Sequence, residues 1–300
     1  MPKKSDENPM DSKFAFWNDL PIEMRMECIK RMDFKTRMQL RATSKQDKLL
    51  VESAKKYHFE FVGVSLNVQR GLRVLCEKSD RVEVDMRLFC MESLQEFFVE
   101  AQQPIIQILK FSTSETIEFR FNFKTDEAVS NFLANFTDSM TFRCRKIHLS
   151  CHEQELVKFF LKNCKSAESI HVENPLVETH TEFTDIIQYP AIINAKTVEL
   201  MSFKGPDTPY QLINEWLGKY DLELGKRLTM EYCDAEPLVL AEKFENRVVS
   251  KTDSTLRLRT NNPARHISID WMCNSLVRYM PSWRSSIWAL VIPSDQKEPE

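Results

Sequence analysis

The sequence predicts a mixed α/β chain: three short helices near the amino end, then short strands alternating with helices, then a closing β-hairpin. Three observations predict it. Apolar side chains crowd at helical spacing between Phe16 and Val51. Six short segments with apolar residues at their second and fourth positions then start 23 to 35 residues apart, with helix-period stretches between them. Finally, Asn261-Asn262-Pro263 separates two strictly alternating runs.

A chain of 300 residues can bury a substantial core and suits one or two domains. The eight cysteines are scattered and the first ten residues, MPKKSDENPM, are polar, which leads to the expectation of a cytoplasmic or nuclear protein with reduced thiols. The longest apolar run, IWALVIP, is far short of the roughly 18 residues that would cross a bilayer, so no membrane association is expected. Residues 1–60 hold 13 Lys and Arg against 10 Asp and Glu, and the rest hold 28 against 34. That balance is too small to drive nucleic-acid binding. Five glycines form no phosphate-cradling loop, and GxSxG, HExxH and CxxC are absent together, so no cofactor and no catalytic residue is expected.

In the opening segment Pro21 suits the first turn of a helix, with Asn18 or Asp19 as cap, and the helix runs to about Met32. Ile22, Met26 and Ile29 recur on one face, with Met24 and Cys28 forming a second apolar strip beside it. Asp33 caps a second helix carrying Phe34, Met38 and Leu40. Ser44 and Asp47 have the spacing of a capping box, with Asp for the usual Glu, ahead of Leu49, Leu50 and Val51. Three such short helices cannot enclose all this apolar surface alone, so some must face a partner or the rest of the chain.

Leu20-Pro21-Ile22-Glu23-Met24, then Ile29, then Met32-Asp33-Phe34, then Leu40-Arg41-Ala42-Thr43-Ser44-Lys45 resembles the F-box, whose pattern runs LPxE...IL..L.......LR.vSK. Gln46-Asp47 stand where many F-boxes have an aromatic. The resemblance implies helices that dock on a Skp-type adaptor, and through it a cullin and a RING protein, in a ubiquitin ligase. Matched by position, Leu20, Pro21, Ile22, Met24 and Ile29 would insert into the adaptor, with Leu40 supporting the second helix.

Beyond it, FVGVSLN alternates as a half-buried strand, followed by RVEVDM at Arg81, TIEFRF at Thr116, KIHLSC at Lys146, SIHVEN at Ser169, TVELMS at Thr197 and RLTMEY at Arg227. Helix-period groups lie between: Leu94, Phe97, Phe98 and Ala101; Val129, Phe132, Leu133 and Phe136; Leu156, Phe159 and Phe160 behind a Ser150/Glu153 capping box; Leu212, Ile213 and Trp216 behind Thr208-Pro209. Parallel strands side by side with helices outside, an irregular leucine-rich-repeat-like array, is the expected architecture. A compact α/β domain with a parallel sheet is the rival. The Phe stripes read as core.

Leu256 and Leu258, the Asn261-Asn262-Pro263 turn, and Ile267, Ile269 and Trp271 make the closing hairpin. The order of F-box, strand–helix units and hairpin is similar to the nematode F-box families with an F-box-associated (FTH or type-2) carboxyl region, which implies a target-binding half. In the array, Glu83, Glu118, His148, His171, Glu199 and Thr229 would line one concave face, acidic at its centre with a basic flank, suited to a protein partner with a basic patch. Cys144, His148, Cys151 and His152 are all metal-ligand types, but a strand over Lys146–Cys151 points His148 and Cys151 to opposite faces, so no metal site is expected.

The expected organisation is a disordered tail at 1–13, the F-box at 14–58, a substrate-binding region at 60–292 and a disordered tail at 293–300. The expected function is that of a substrate receptor in a cullin-RING ligase. A repeat-type scaffold unconnected to ubiquitination, its first helices capping the array, is the alternative, and a cryptic hydrolase a third.

Overall fold

The computed structural model describes residues 17–67, 69–79, 81–89, 94–123, 126–134, 136, 140–151, 153–173, 186, 188–201, 207–233, 237–273 and 285–296. The expected tail at 1–13 lies outside them. The chain divides into two compact units, Met1–Tyr57 and His58–Glu300.

The first unit is three helices, α1 (Ile22–Arg31), α2 (Phe34–Thr43) and α3 (Lys45–Ser53). Asp33 caps α2 by accepting from the Thr36 amide at 2.7 Å, and Ser44 caps α3 by accepting from the Asp47 amide at 3.0 Å. The start of α1 differs from expectation: Pro21 itself occupies the cap position and no side chain caps the helix. Ile29, Leu40, Leu50 and Val51 form a small core, with Trp17, Met26, Met32, Met38 and Ala54 packed against it. Arg37 is buried and locks the helix ends together. Its Nη2 donates to the Lys30 carbonyl (2.9 Å), Nε to that of Met32 (3.2 Å) and Nη1 to that of Lys55 (3.0 Å), while the guanidinium lies 5.0 Å from the Tyr57 ring centroid. One cation thereby satisfies carbonyls that helix ends leave without partners.

The second unit opens with β1 (Tyr57–Asn67), β2 (Gly71–Lys78) and β3 (Arg81–Leu88), an antiparallel meander. Helices and strands then alternate: α4 (Leu94–Phe111), β4 (Ser112–Asn122), α5 (Asp126–Leu133), β5 (Phe142–Cys151), α6 (Gln154–Asn163), a short β6 (Cys164–Ser166), β7 (Ser169–Glu173), α7 (Pro190–Asn194), β8 (Thr197–Met201), α8 (Asp207–Gly218), β9 (Arg227–Cys233) and α9 (Pro237–Lys243). The last strands are β10 (Val248–Lys251), β11 (Thr255–Arg259), β12 (Arg265–Cys273) and β13 (Ser285–Pro293).

All thirteen strands join one sheet, in the order β10-β11-β12-β13-β9-β8-β7-β5-β4-β1-β2-β3, with β6 added beside β5. From β4 to β9 the neighbours are parallel and in chain order. The regular alternation holds for that central stretch alone. The β1–β3 meander and the antiparallel β9-β13-β12-β11-β10 wing make the sheet mixed, so the Arg81 strand is part of a meander and not of the parallel series. The expected hairpin forms, pairing Leu256 with Ile269 and Leu258 with Ile267. It reaches the parallel strands only through β13, which inserts between β12 and β9.

Parallel strands laid down in one direction by right-handed crossovers place their helices on one face. That face is the core. Ile117, Phe119, Ile147, Leu149, Ile170, Val172, Val198, Leu200, Leu228 and Met230 are all buried there. Under β4 and β5 the apolar filling is mostly phenylalanine: Phe119 stacks on Phe160 at 4.0 Å between centroids, Phe121 on Phe160 at 5.4 Å, and Phe132 meets Phe98, Phe121, Phe123 and Phe136 at 5.1 to 6.2 Å. The aromatic stripes are core, as expected. Two helix starts differ from expectation: Ser150 stays in β5 and Glu153 takes the α6 cap position without a side-chain capping hydrogen bond, and α8 already begins at Asp207.

The carboxyl end is also held. Arg257 donates Nη1 to the Gln296 carbonyl (2.6 Å) and Nη2 to those of Pro293 (3.2 Å) and Ser294 (2.8 Å), so residues 293–296, assigned above to a disordered tail, are tied to β11.

Candidate functional site

Two surfaces carry the residues singled out from the sequence. The first is the outer side of α1. Leu20 is half-buried, Pro21 is exposed, and Ile22 and Met24 are 53% and 54% exposed, so four of the six residues assigned to an adaptor lie at or near the surface. Leu49 on α3 is exposed as well, at 68%. Apolar side chains this open are an interface signature when grouped. Ile29 and Leu40 sit elsewhere: they are 0% and 6% exposed and belong to the core of the three helices, so Ile29 cannot insert into a partner without unfolding its own unit, and Leu40 packs inside it.

What holds this face in place is a buried carboxylate. Asp47, 5% exposed, accepts from Trp17 Nε1 at 2.8 Å on one oxygen, and from Thr43 Oγ1 at 2.8 Å and Ser44 Oγ at 2.7 Å on the other. Burial pushes the Asp47 carboxyl up, but the hydrogen bonds from Ser44, Trp17 and Thr43 outweigh it and hold the group below its ordinary value. At Gln46-Asp47, the departure from the F-box pattern, Asp47 anchors an aromatic from elsewhere in the chain, Trp17, ahead of α1. The capping-box spacing pointed to Asp47; nothing in the sequence pointed to Trp17 as its partner.

The second surface is the sheet face opposite the helices. Register puts Glu118 beside His148, His148 beside His171, His171 beside Glu199 and Glu199 beside Thr229, one residue from each parallel strand. Five of the six residues read from the sequence thus form a continuous row. Glu83 does not join it, because β1 and β2 lie between β3 and β4, and the β2–β3 ladder shifts register at Cys76/Glu77. The row instead continues from Thr229 to Trp288 on β13 and Asp270 on β12. Trp288 was missed because its run, IWALVIP, has no alternation of apolar and polar residues.

The side chains of the row interlock. Arg120 Nη2 lies 2.6 Å from Glu118 Oε1, and His148 Nδ1 lies 3.2 Å from the same oxygen. His171 Nδ1 lies 2.9 Å from Glu199 Oε2. The two imidazoles meet edge to face with centroids 4.2 Å apart. Burial first, and then the neighbouring His171, hold His148 below its ordinary histidine value in spite of Glu118 and Glu173, which favours the neutral ring. Side chains here keep partial solvent contact, 31% for His148, 23% for His171 and 43% for Glu199. Among the described residues of the row, no nucleophile is hydrogen-bonded to a base.

The cysteines weighed as metal ligands are elsewhere. Cys151 is fully buried and its thiol is pushed up by burial; Cys144 is buried against Cys164, whose hydrogen bond is the main cause of its raised thiol value. His152 lies outside the described residues. A groove of about 470 Å³ at the far wing is lined by Arg70, Arg73, Arg87 and Phe89 among others, with Asp85 pairing with Arg73 and Arg87.

Residues 17–59 match the model of the F-box domain. No curated protein and no solved structure matches the chain. An F-box domain implies a Skp-type adaptor as partner, and with it assembly into SCF-type ubiquitin ligases, in which F-box proteins are generally non-catalytic.

Proposed function

We propose that this chain is the substrate receptor of a cullin-RING ubiquitin ligase, with Leu20, Pro21, Ile22 and Met24 as its adaptor-binding face and the open sheet face as its target-binding surface. The observation that carries the reading is the F-box match at residues 17–59, on a three-helix unit whose α1 leaves Ile22 and Met24 in solvent. The mechanism is proximity. The chain holds a target near a ubiquitin-charged enzyme that other subunits supply, and no residue of its own reacts.

On the target side, Glu118, Glu173 and Glu199 outnumber Arg120 along the row, and Trp288 adjoins its end, which supports a protein partner with a basic patch and an apolar contact beside it. The order of F-box, parallel strand–helix units and antiparallel carboxyl strands supports the likeness to the nematode F-box-associated families.

The test is calorimetric titration of the full chain with a Skp-type adaptor. Wild type should bind, and an Ile22→Asp, Met24→Asp double variant, which changes two exposed side chains, should lose at least 100-fold in affinity while melting within about 2 °C of wild type. A folded wild type that does not bind would favour the scaffold reading and remove this one.

A further inference from the structure

We propose that His148, His171 and Glu173 bind a first-row divalent cation of the zinc type on the open face of the sheet. The site does not rest on the receptor reading, since it needs neither adaptor nor target.

Backbone register brings the three together. His148 and His171 are direct neighbours on β5 and β7, and Glu173 follows His171 by two residues on the same strand face. One nitrogen of each ring and one Glu173 carboxylate oxygen all lie within 4.8 Å of one another. In a tetrahedral zinc site, with bonds of about 2.0–2.2 Å, ligand atoms stand about 3.3–3.5 Å apart. The three donors therefore close on a cation by side-chain torsions alone.

Each imidazole has a carboxylate beside its Nδ1. His148 Nδ1 is 3.2 Å from Glu118 and His171 Nδ1 is 2.9 Å from Glu199, and an ionised carboxylate only accepts, so these contacts favour an N–H on Nδ1. A carboxylate behind each histidine is the arrangement that orients metal-binding imidazoles and raises their basicity.

One atom is otherwise unexplained. His148 Nε2 is shut off from solvent and has no hydrogen-bond partner, and the nearest Glu173 oxygen is 3.6 Å away. With the proton on Nδ1, the Nε2 lone pair and a Glu173 carboxylate oxygen face each other at 3.6 Å. A cation there satisfies both. The local charge agrees: Glu118, Glu173 and Glu199 against Arg120 leave two negative charges, which a divalent ion neutralises. Two imidazoles and one carboxylate favour zinc, cobalt or nickel over magnesium or calcium, and three protein ligands leave a fourth coordination position to a water or other small ligand.

The test is titration of the metal-free full chain with Co²⁺, followed by its visible d–d absorption, and then displacement by Zn²⁺. Wild type should give a one-to-one band that Zn²⁺ removes. His148→Gln and His171→Gln should each weaken binding at least 100-fold, Glu199→Gln about tenfold through lost orientation, and His58→Ala, an exposed histidine away from the row, should leave it unchanged. Circular dichroism confirms that each variant is folded. The absence of a band at millimolar cobalt in folded wild type would overturn the site. So would a band with thiolate-to-cobalt charge transfer that survives the double histidine variant, because the ligands would then be cysteines.

Discussion

Replacing Asp47 tests whether a buried carboxylate is what organises the adaptor face. It receives three side-chain hydrogen bonds, from Trp17, Thr43 and Ser44, and is 5% exposed. A net hydrogen bond to a charged group is worth about 1.5–3 kcal/mol, and stranding a donor costs a further fraction of that. The bonds share one group and are not additive, and desolvation of the carboxylate offsets part of the gain, so Asp47→Ala should cost about 2–4 kcal/mol. Trp17→Phe keeps the ring against the Ile29, Leu40, Leu50 and Val51 core but removes the N–H, and should cost about 1 kcal/mol. In the double variant the two losses should fall short of additivity by about 1–2 kcal/mol, the direct coupling of the pair. Because the chain has two units, a global midpoint would mix their unfolding, and the assay is amide hydrogen exchange across Ile22–Ser53. Exchange that stays at wild-type rates throughout α1–α3 in Asp47→Ala would refute the reasoning, as would strict additivity with Trp17→Phe. The acid limit follows from the same group: its folded value lies below its unfolded one, so its contribution is complete above about pH 4 and is lost as pH falls through the folded value.

Ile29→Ala, a deletion in the first unit's core, should destabilise α1–α3 by about 2–5 kcal/mol and weaken adaptor binding through folding, whereas Ile22→Ala should weaken binding with exchange unchanged; equal behaviour of the two would contradict the division into core and face. Arg37→Lys cannot reach the Lys30, Met32 and Lys55 carbonyls together and should cost about 2–3 kcal/mol by the same exchange measurement. Gly71 has φ +91°, and a Cβ there would lie 2.1 Å from the Leu88 carbonyl oxygen, so Gly71→Ala should destabilise the β1–β3 meander by at least about 2 kcal/mol in urea unfolding. Lys226 is 6% exposed, and burial, with Lys219 next, lowers its ammonium to about 8 from 10.5. The unfolded chain holds that proton more tightly, so the penalty is full below pH 8 and fades as pH rises to 10.5. Measured against Lys226→Met, wild type should therefore gain up to about 2 kcal/mol between those limits, and a flat difference would refute the shift.

The parallel centre of the sheet was legible because its strands repeat one local rule. Apolar residues at alternate positions in TIEFRF, KIHLSC, SIHVEN, TVELMS and RLTMEY mark the buried face, and helix-period groups between them mark crossovers. Aligning those strands by their apolar pairs also gave the true register, since slipping a parallel strand by one residue would turn Ile147 and Leu149 out of the core. The wings were not legible for the converse reason. GLRVLCEK and SSIWALVIP form β2 and β13 without clean alternation, and the place of β13 between β12 and β9 is a long-range pairing that no local pattern records. Glu83 was misplaced by extending the parallel rule to a strand governed by a hairpin.

Periodicity likewise could not separate Ile29 from Ile22. Both lie on the same apolar stripe of α1, and only the packing of α2 and α3 decides which of them is covered. The histidine cluster shows the same limit from the other side. Reading along one strand set Cys144, His148, Cys151 and His152 side by side as ligand types; of these, Cys144 and Cys151 are buried while His148 lies on the open face. The convergence that does occur runs across strands: His148 meets His171 because β5 and β7 are neighbours in register, and each then meets the acid on its far side, Glu118 or Glu199. Each of these four residues is unremarkable in its own segment. Once the columns are aligned they spell Glu-His-His-Glu at about 4.8 Å per strand, a spacing at which every imidazole has a carboxylate on one side and another imidazole on the other. Such a row is costly as a mere solvated surface, because it leaves His148 Nε2 shut off from solvent without a hydrogen-bond partner. The cost falls when something positive binds, which is the physical reason to look for a cation before a protein target on this face.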